Sequence, residues 1–317
     1  MSLRLRLLNR AARRIAGPVL EHAGDVARAR RDFERLAWLL KLPPGLLHLV
    51  DFGTPALHWI SVRRRQADHV ILYLQGGAYV AGSPVTHSGM VGRIACLTGL
   101  QVMEPDYRVA LEHPAPAAFE DARKAHASLL VLGYPPDRIL LGGDSAGGGL
   151  ALALLADLCQ RNQAPVDLFA FSPWTDLALT GGSIATNAGS DSLLPPGRME
   201  EAVDMVLAGT NAGAPRVSPL YASFDTPPPV LIQVGAGEIL QDYSRRMAEV
   251  LRRAGGQVTL QEWPDCLHVW QTLGSNIKCN TYGPQGIGCC DGQTIQAPLQ
   301  RGTWRDFGRA SAGQQPS

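Results

Sequence analysis

The arrangement of apolar runs along the chain is what most limits its fold. Over residues 55–175 and 216–272, short apolar runs alternate with amphipathic helical stretches, for example a strand-like run at 166–171 and a helical stretch at 244–254. Strands that alternate with helices are typical of a parallel sheet, because the chain must cross back between neighbouring parallel strands. The pattern therefore predicts an α/β fold with a mostly parallel central sheet and helices on both faces.

One junction between a strand and a helix carries a serine. Residues 143–147 read GDSAG, and they follow the apolar run 139–141 and precede the helical stretch 150–158. Small neighbours allow a sharp turn on which the hydroxyl of Ser145 stands clear of the backbone, within reach of a base. The motif predicts that Ser145 is a catalytic nucleophile. Alone, it also fits a tight turn with a solvated serine, so its context must separate the two interpretations.

A second turn of small residues, QGGAY at 75–79, follows a strand-like run upstream of the serine. Backbone N–H groups can point inward there without obstruction by side chains. An attacked acyl carbonyl becomes an oxyanion that needs such prepositioned donors. We therefore expect the N–H groups of Gly77, Ala78 and Ala146 to form an oxyanion hole. Tyr79, just past the turn, is a candidate for substrate contact, and an ordinary glycine turn is the alternative.

An acid and a histidine follow the serine along the chain. Glu238 comes directly after an apolar run, and His268 lies in a loop after the strand-like run 258–263. The order serine, acid, histidine is the one expected of α/β-hydrolases. We expect His268 to take the proton from Ser145 and return it to the leaving group, while Glu238 fixes the imidazole tautomer. Asp242 is the fallback acid.

Further blocks accompany these motifs in a fixed order. They read YLQGGAY at 73–79, DYRVALEHP at 106–114, GDSAGG at 143–148, SPWTDL at 172–177 and HVWQ at 268–271. In this combination the chain resembles the bacterial hormone-sensitive-lipase-like (family IV) carboxylesterases of the α/β-hydrolase superfamily. The resemblance implies a serine carboxylesterase that acts on small, uncharged esters of short- to medium-chain acids through an acyl-enzyme. It implies no metal and no organic cofactor.

The resemblance also implies a division of the chain. Residues 46–177 and 216–274 would form the α/β-hydrolase catalytic domain, and residues 1–45 together with an insertion at 178–215 would form a helical cap over the active site. Caps of this kind exclude water and shape the acyl and alcohol pockets. The family often dimerises through its last strand and helix, which makes a homodimer one option for this chain.

Three positions near the expected site depart from the family pattern. Gln75 stands where the family usually has His, and Ala78 stands where it usually has Gly. Main-chain donors survive both changes, but an amide can replace only part of the hydrogen bonds of an imidazole. We therefore expect reduced activity. Glu238 stands where Asp is commoner, as in some other members of the family.

The C-terminal residues 275–317 depart furthest. The family closes with an amphipathic helix that packs on the sheet and helps to hold the histidine loop, whereas this segment has a single Leu and no apolar helical period. One hypothesis is that the reading frame changes near residues 276–278; the other is a genuine disordered extension. Either predicts a poorly ordered tail and weaker support for His268.

Composition limits the other classes of function. A net charge of +1 gives no electrostatic attraction to nucleic acid. Residues 1–24 are Arg-rich and lack the continuous apolar core of a secretory signal, which predicts a cytoplasmic protein. Their apolar side chains are expected to pack on the rest of the protein, without stable membrane association. No metal-ligand spacing is present.

Two other functions stay open. An amidase or arylformamidase would use the same triad, and only a comparison of leaving groups separates it from an esterase. A weakly active or non-catalytic ligand-binding member of the fold is the second. His268 argues against that class, because receptors that resemble these esterases lack the base.

Overall fold

Eight strands form a single sheet in the computed structural model, which describes residues 26–37, 42–62 and 68–276. The strands are β1 (Leu46–Asp51), β2 (Ala56–Val62), β3 (Val70–Leu74), β4 (Gln101–Asp106), β5 (Ile139–Asp144), β6 (Asp167–Phe171), β7 (Val230–Gly235) and β8 (Val258–Trp263). The α-helices of the described residues are α1 (Val26–Ala37), α2 (Pro84–Thr98), α3 (Ala117–Val131), α4 (Ser145–Gln160), α5 (Ser183–Thr186), α6 (Met199–Leu207) and α7 (Gln241–Arg253). Short 3-10 turns span Pro136–Arg138, Pro196–Arg198, Pro219–Tyr221 and Trp270–Asn276.

The strand order is β1-β2-β4-β3-β5-β6-β7-β8. The pairs β1/β2 and β2/β4 are antiparallel, and every pair from β4/β3 to β7/β8 is parallel. All residues of β3, β5 and β7 are buried, as expected of parallel strands covered on both faces. The predicted, mostly parallel sheet is therefore confirmed.

Helices cover both faces of this sheet. Helix α2 packs on β2 and β4, whereas α4 packs on β3, β5 and β6, and α7 packs on β7 and β8. Because successive side chains of a strand point to opposite faces, Leu72 and Leu74 join the core under α4, while Ile71 and Tyr73 join a separate core on the α2 face. The predicted layering is confirmed.

The sheet topology brings the candidate site residues to one edge. Parallel strands end on the same side, and the turn 75–79 follows β3, Ser145 follows β5, Glu238 follows β7, and His268 follows β8. Pairing of Leu74 with Gly143 places the ends of β3 and β5 side by side. Ligand sites of such sheets lie beyond the carboxyl ends of the strands.

Two segments flank this edge. The stretch 178–215 contains α5, α6 and a 3-10 turn, and the Val206 carbonyl accepts a hydrogen bond from the Ala115 amide at 2.8 Å. Helix α1 is tied to the catalytic edge by Arg30, whose guanidinium donates to the carbonyls of Val80 (2.8 Å) and Ala110 (2.6 Å). The division into catalytic domain and cap stays a prediction. The predictions for residues 1–25 and 277–317 fall outside the described residues.

Candidate active site

The serine stands on a strained turn between β5 and α4. Ser145 has a φ of 51°, in the left-handed region that costs a non-glycine residue about 1–3 kcal/mol. The turn packs tightly on its surroundings. A Cβ atom at Gly147 would overlap the carbonyl oxygens of Leu74 and Gln75, and one at Gly143 would overlap the carbonyl of Gly147. Glycine on both sides of the serine is therefore a packing requirement.

Three side chains from distant parts of the chain form one hydrogen-bonded series. The Ser145 Oγ lies 2.9 Å from Nε2 of His268, and the His268 Nδ1 lies 2.7 Å from Oε2 of Glu238. The acceptor-only carboxylate requires Nδ1 to carry a proton, which leaves Nε2 of the neutral ring to accept from the serine hydroxyl. The side chains of His268 and Glu238 are only 9% and 2% exposed, so water competes little for these bonds.

Glu238 is held by a residue that sequence analysis did not single out. Its Oε1 accepts hydrogen bonds from the Ser172 hydroxyl at 2.8 Å and the Gly235 amide at 2.5 Å. The same Ser172 hydroxyl accepts from the amide of Val269, which joins the acid to the histidine loop. The block SPWTDL at 172–177 was the signal that could have pointed to Ser172.

The fallback acid lies elsewhere. Asp242 accepts a hydrogen bond from the Gly182 amide at 3.3 Å, and its carboxylate is 3.8 Å from the Arg246 guanidinium. Its position as the second residue of α7 turns it toward that helix and the stretch 178–215. Among the described residues, Glu238 is thus the acid that contacts His268.

Neighbouring groups shift the pKa of His268. Burial lowers the pKa of His268, but the charge of Glu238 and the hydrogen bond with it outweigh this effect, and the carboxylates of Asp191 and Asp144 add to them. The net result is a pKa raised above the ordinary value of 6.5. The imidazolium that forms when the ring takes a proton is therefore stabilised.

A second contact, in addition to the one with Ser172, holds the loop that carries His268. The Arg93 guanidinium of α2 donates to the carbonyls of Gln271 and Thr272, both at 2.8 Å. These bonds connect the turn after His268 to the α2 face of the sheet.

The turn 75–79, which is expected to supply oxyanion donors, has a left-handed backbone. Gly77, Ala78 and Tyr79 have consecutive positive φ values of 127°, 54° and 61°. The Gly77 carbonyl closes the turn by accepting from the amides of Val80 and Ala81. Among the described residues, the Gly77 and Ala78 amides donate to no protein acceptor. Ala146 is the second residue of α4, where a helix leaves its amides without internal acceptors.

Two further residues that the sequence singled out, Gln75 and Tyr79, are buried in the turn 75–79. The Gln75 side chain is fully buried, and neither its amide oxygen nor its nitrogen has a hydrogen-bond partner among the described residues. The Gln75 amide therefore makes none of the hydrogen bonds that it was expected to make in place of the family's histidine. Tyr79 is 6% exposed and packs against Trp174, with ring centroids 6.5 Å apart. Its contact with substrate stays a prediction.

The described residues 26–37, 42–62 and 68–276 offer neither a metal site nor a membrane-spanning helix. No group of three or more His, Cys, Asp or Glu side chains there is arranged to hold a metal ion. No helix in the same ranges is long and apolar enough to span a bilayer.

Comparison with known proteins gives consistent results. A family model described as the alpha/beta hydrolase fold matches residues 71–272. An acetyl-hydrolase of Streptomyces hygroscopicus is 39% identical over 232 residues, which are 73% of this chain and 77% of that protein. An esterase of Acinetobacter venetianus is 39% identical over 194 residues, 61% of this chain and 64% of that protein. The crystal structure of an esterase from the bacterial hormone-sensitive lipase family superposes with a TM-score of 0.78 at 37% identity, covering 86% of this chain and 91% of its own.

Proposed function

Because the chain belongs to the hormone-sensitive-lipase-like (family IV) α/β-hydrolases, we propose that it is a serine carboxylesterase for small, uncharged esters of short- to medium-chain acids. The observation that carries this proposal is the hydrogen-bonded series from Ser145 through His268 to Glu238, with distances of 2.9 and 2.7 Å. A serine hydroxyl becomes nucleophilic when an oriented imidazole can accept its proton.

The first half-reaction transfers the acyl group to the enzyme. His268 accepts the hydroxyl proton as the Ser145 Oγ attacks the ester carbonyl carbon. The carbonyl oxygen takes up the negative charge and accepts hydrogen bonds from the amides of Gly77, Ala78 and Ala146. Collapse of this intermediate breaks the bond to the alcohol oxygen, which leaves with the proton from His268.

The second half-reaction frees the acid. A water molecule gives a proton to His268 and attacks the acyl carbon, which forms a second oxyanion in the same turn. When this intermediate collapses, the Ser145 oxygen leaves and regains the proton from the imidazole. Throughout, Glu238 keeps the ring in one tautomer and stabilises its charged form, and it does not itself need to be protonated.

The direct test removes the nucleophile. We expect Ser145→Ala to abolish hydrolysis of p-nitrophenyl butyrate, because it removes the hydroxyl that lies 2.9 Å from Nε2 of His268. An active-site-directed fluorophosphonate should label wild-type protein at Ser145 and leave the variant unlabelled. Ser223→Ala, which changes an exposed serine, is the matched control and should behave as wild type. Turnover retained by Ser145→Ala would move the chemistry to another residue.

The same preparation separates the alternatives. An esterase should cleave p-nitrophenyl butyrate far faster than the p-nitroanilide of the same acid, whereas an amidase should cleave both. Faster cleavage of p-nitrophenyl palmitate than of the butyrate would contradict the proposed chain length. A non-catalytic binding protein would leave Ser145 unlabelled by the fluorophosphonate.

A further inference from the structure

A cluster of polar side chains lies buried on the α2 face of the sheet, beneath the serine turn. It comprises Tyr73 of β3, Glu104 of β4, Asp144 of β5 and His87 of α2. Tyr73 and Glu104 are fully buried, and Asp144 and His87 are 3% and 4% exposed. Charged groups in such an interior are costly unless they are paired, so their arrangement needs a physical reason.

Asp144 connects the two halves of the candidate site. Its Oδ1 accepts hydrogen bonds from the Tyr73 hydroxyl at 2.7 Å and from the amide of Gly76 at 3.1 Å. Gly76 begins the turn that carries the expected oxyanion donors, and Asp144 directly precedes Ser145. The contact is close, since a Cβ atom at Gly76 would overlap Oδ2 of Asp144. One carboxylate therefore touches the oxyanion turn and adjoins the nucleophile.

His87 presents both ring nitrogens to acceptors. Its Nδ1 lies 3.2 Å from the Ser83 carbonyl oxygen, and its Nε2 lies 3.6 Å from Oδ2 of Asp144. The Thr86 hydroxyl, 3.0 Å from Nδ1, donates its own proton to the Ser83 carbonyl and so also faces the ring as an acceptor. A ring with acceptors at both nitrogens is best satisfied as the doubly protonated imidazolium.

The surroundings of His87 support that charge state. Burial lowers the pKa of His87, but the charge of Asp144 and the hydrogen bond with it, together with the charge of Glu104 and the Ser83 carbonyl, outweigh burial and raise it to about 9. Burial raises the pKa of Glu104, whose oxygens have no hydrogen-bond partner among the described residues, to about 8. The Asp144 carboxylate, at ion-pair distance from Nε2 of His87, is the partner of the positive charge on this ring. The His87 ring also lies beside the Phe33 ring of α1, with ring centroids 6.0 Å apart.

We propose that His87 is a positioning residue for the ester hydrolysis proposed above, on which this role rests. Its positive charge anchors the Asp144 carboxylate, which holds the Gly76 amide and thereby keeps the oxyanion turn aligned with Ser145. Without the cation, the buried carboxylate has lost its charged partner and turns toward other groups, and the Gly76 amide loses its acceptor. Donors to a transition state lose much of their effect when they are displaced by a fraction of an ångström to one ångström.

The test compares two substitutions of His87 in the full chain. His87→Leu removes the charge, whereas His87→Gln keeps an N–H donor that can reach Asp144. With p-nitrophenyl butyrate, and with active sites counted by complete fluorophosphonate labelling, we expect kcat of His87→Leu to fall about ten- to hundredfold. KM should stay within about twofold, and His87→Gln should recover part of kcat. His126→Leu is the matched control, because His126 is a buried histidine of α3 outside this cluster, and its kcat should stay near the wild-type value.

A double substitution controls for misfolding of the single variant His87→Leu. His87→Leu with Asp144→Asn removes both charges, so no buried carboxylate is left without a partner. If His87 acts through Asp144, the double variant should have about the same kcat as Asp144→Asn alone, because the two effects are not additive. Two results would overturn the role of His87: an unchanged kcat per labelled site in His87→Leu, or independent, multiplicative effects in the double variant.

The wild type and the His126→Leu control separate this proposal from the proposed function. If both hydrolyse the ester and His87→Leu does so equally well, only the positioning role is wrong. If neither hydrolyses the ester and Ser145 is not labelled, the proposed function fails, and the role of His87 falls with it.

Discussion

At the scale of single residues, the reactivity of Ser145 depends on the ring beside it and on the acid behind that ring. Glu238 is bound to His268, Ser172 and Gly235, whereas Asp242 contacts Gly182 and Arg246. The two acids are four positions apart in the chain, and their spacing alone does not separate them. Their contacts do, because β7 ends just before Glu238 and Asp242 already belongs to α7.

Exchanging each acid for its amide tests this difference. We expect Glu238→Gln to lower kcat about 10³- to 10⁴-fold, since an amide can hold the ring in the wrong tautomer and does not stabilise the imidazolium. Asp242→Asn should stay within about threefold of wild type, because its carboxylate is outside the hydrogen-bonded series. The measurement is the hydrolysis of p-nitrophenyl butyrate by both variants. The reverse pattern would assign the acid role to Asp242.

The dependence of activity on pH follows from His268. Only the neutral ring can accept the serine proton, and Glu238 raises the pKa of His268 above 6.5. As pH falls through that raised pKa, the ring becomes protonated and kcat/KM decreases, so we expect the midpoint of the acid limb above pH 6.5. In Glu238→Gln the residual activity should show the limb at lower pH. A wild-type limb centred below pH 6 would contradict this account.

At the scale of elements, the contact of α4 with the end of β3 places the serine beside the oxyanion turn. Gly147 is the point of closest approach, since its Cα faces the carbonyl oxygens of Leu74 and Gln75. A methyl group there would force the helix away from the strand. Overpacking of this kind typically costs about 1–3 kcal/mol, and here the displaced atoms belong to the site itself.

Substitution of Gly147 tests this packing. We expect Gly147→Ala to lower Tm and to abolish fluorophosphonate labelling of Ser145. Gly197→Ala is the control, because Gly197 has open space where a Cβ atom would lie, and its Tm and labelling should match those of wild type. Normal labelling of a folded Gly147→Ala protein would mean that the strand and helix have room to separate.

Most of the elements around the site follow from local sequence patterns. The run 258–263 is predicted as a strand and forms β8 with the same bounds, and the predicted helical stretch 150–158 lies within α4, Ser145–Gln160. The antiparallel pairing of β1 and β2 was outside the prediction. It depends on which strands meet at the edge of the sheet, and an alternation of apolar runs carries no information about strand partners.

At the scale of the whole molecule, the two faces of the sheet are covered unequally in the described part of the chain. Helices α4 and α7 pack over β3 and β5–β8 on one face, whereas α2 packs on β2 and β4 of the other. Apolar side chains of β6 and β7, including Phe169, Phe171 and Leu231, belong to the core on the α2 face. A closing helix of the kind that the family resemblance implies is the expected cover for this face of the sheet.

The coding nucleotides provide a test of the C-terminal segment. If the reading frame changes near residues 276–278, translation in one of the other two frames should give an amphipathic helix. Restoring that frame should then raise Tm by about 5 °C or more, since a covered apolar face stabilises the fold. A Gly/Ser segment of equal length is the control and should give no such rise. If neither frame encodes an amphipathic segment, the frame hypothesis is wrong.

The class of sheet, the serine turn between a strand and a helix, and the order of the candidate acid and base could all be predicted from the amino-acid sequence. These features depend on neighbours within a few positions, which local periodicity and turn chemistry reveal. The folded chain was needed to show that Glu238 rather than Asp242 contacts His268, that Ser172 holds that acid, and that the Gln75 side chain has no hydrogen-bond partner among the described residues. It alone also set His87 beside Asp144. These contacts join residues far apart in the chain, and their geometry arises from the packing of strands and helices, which no local pattern records.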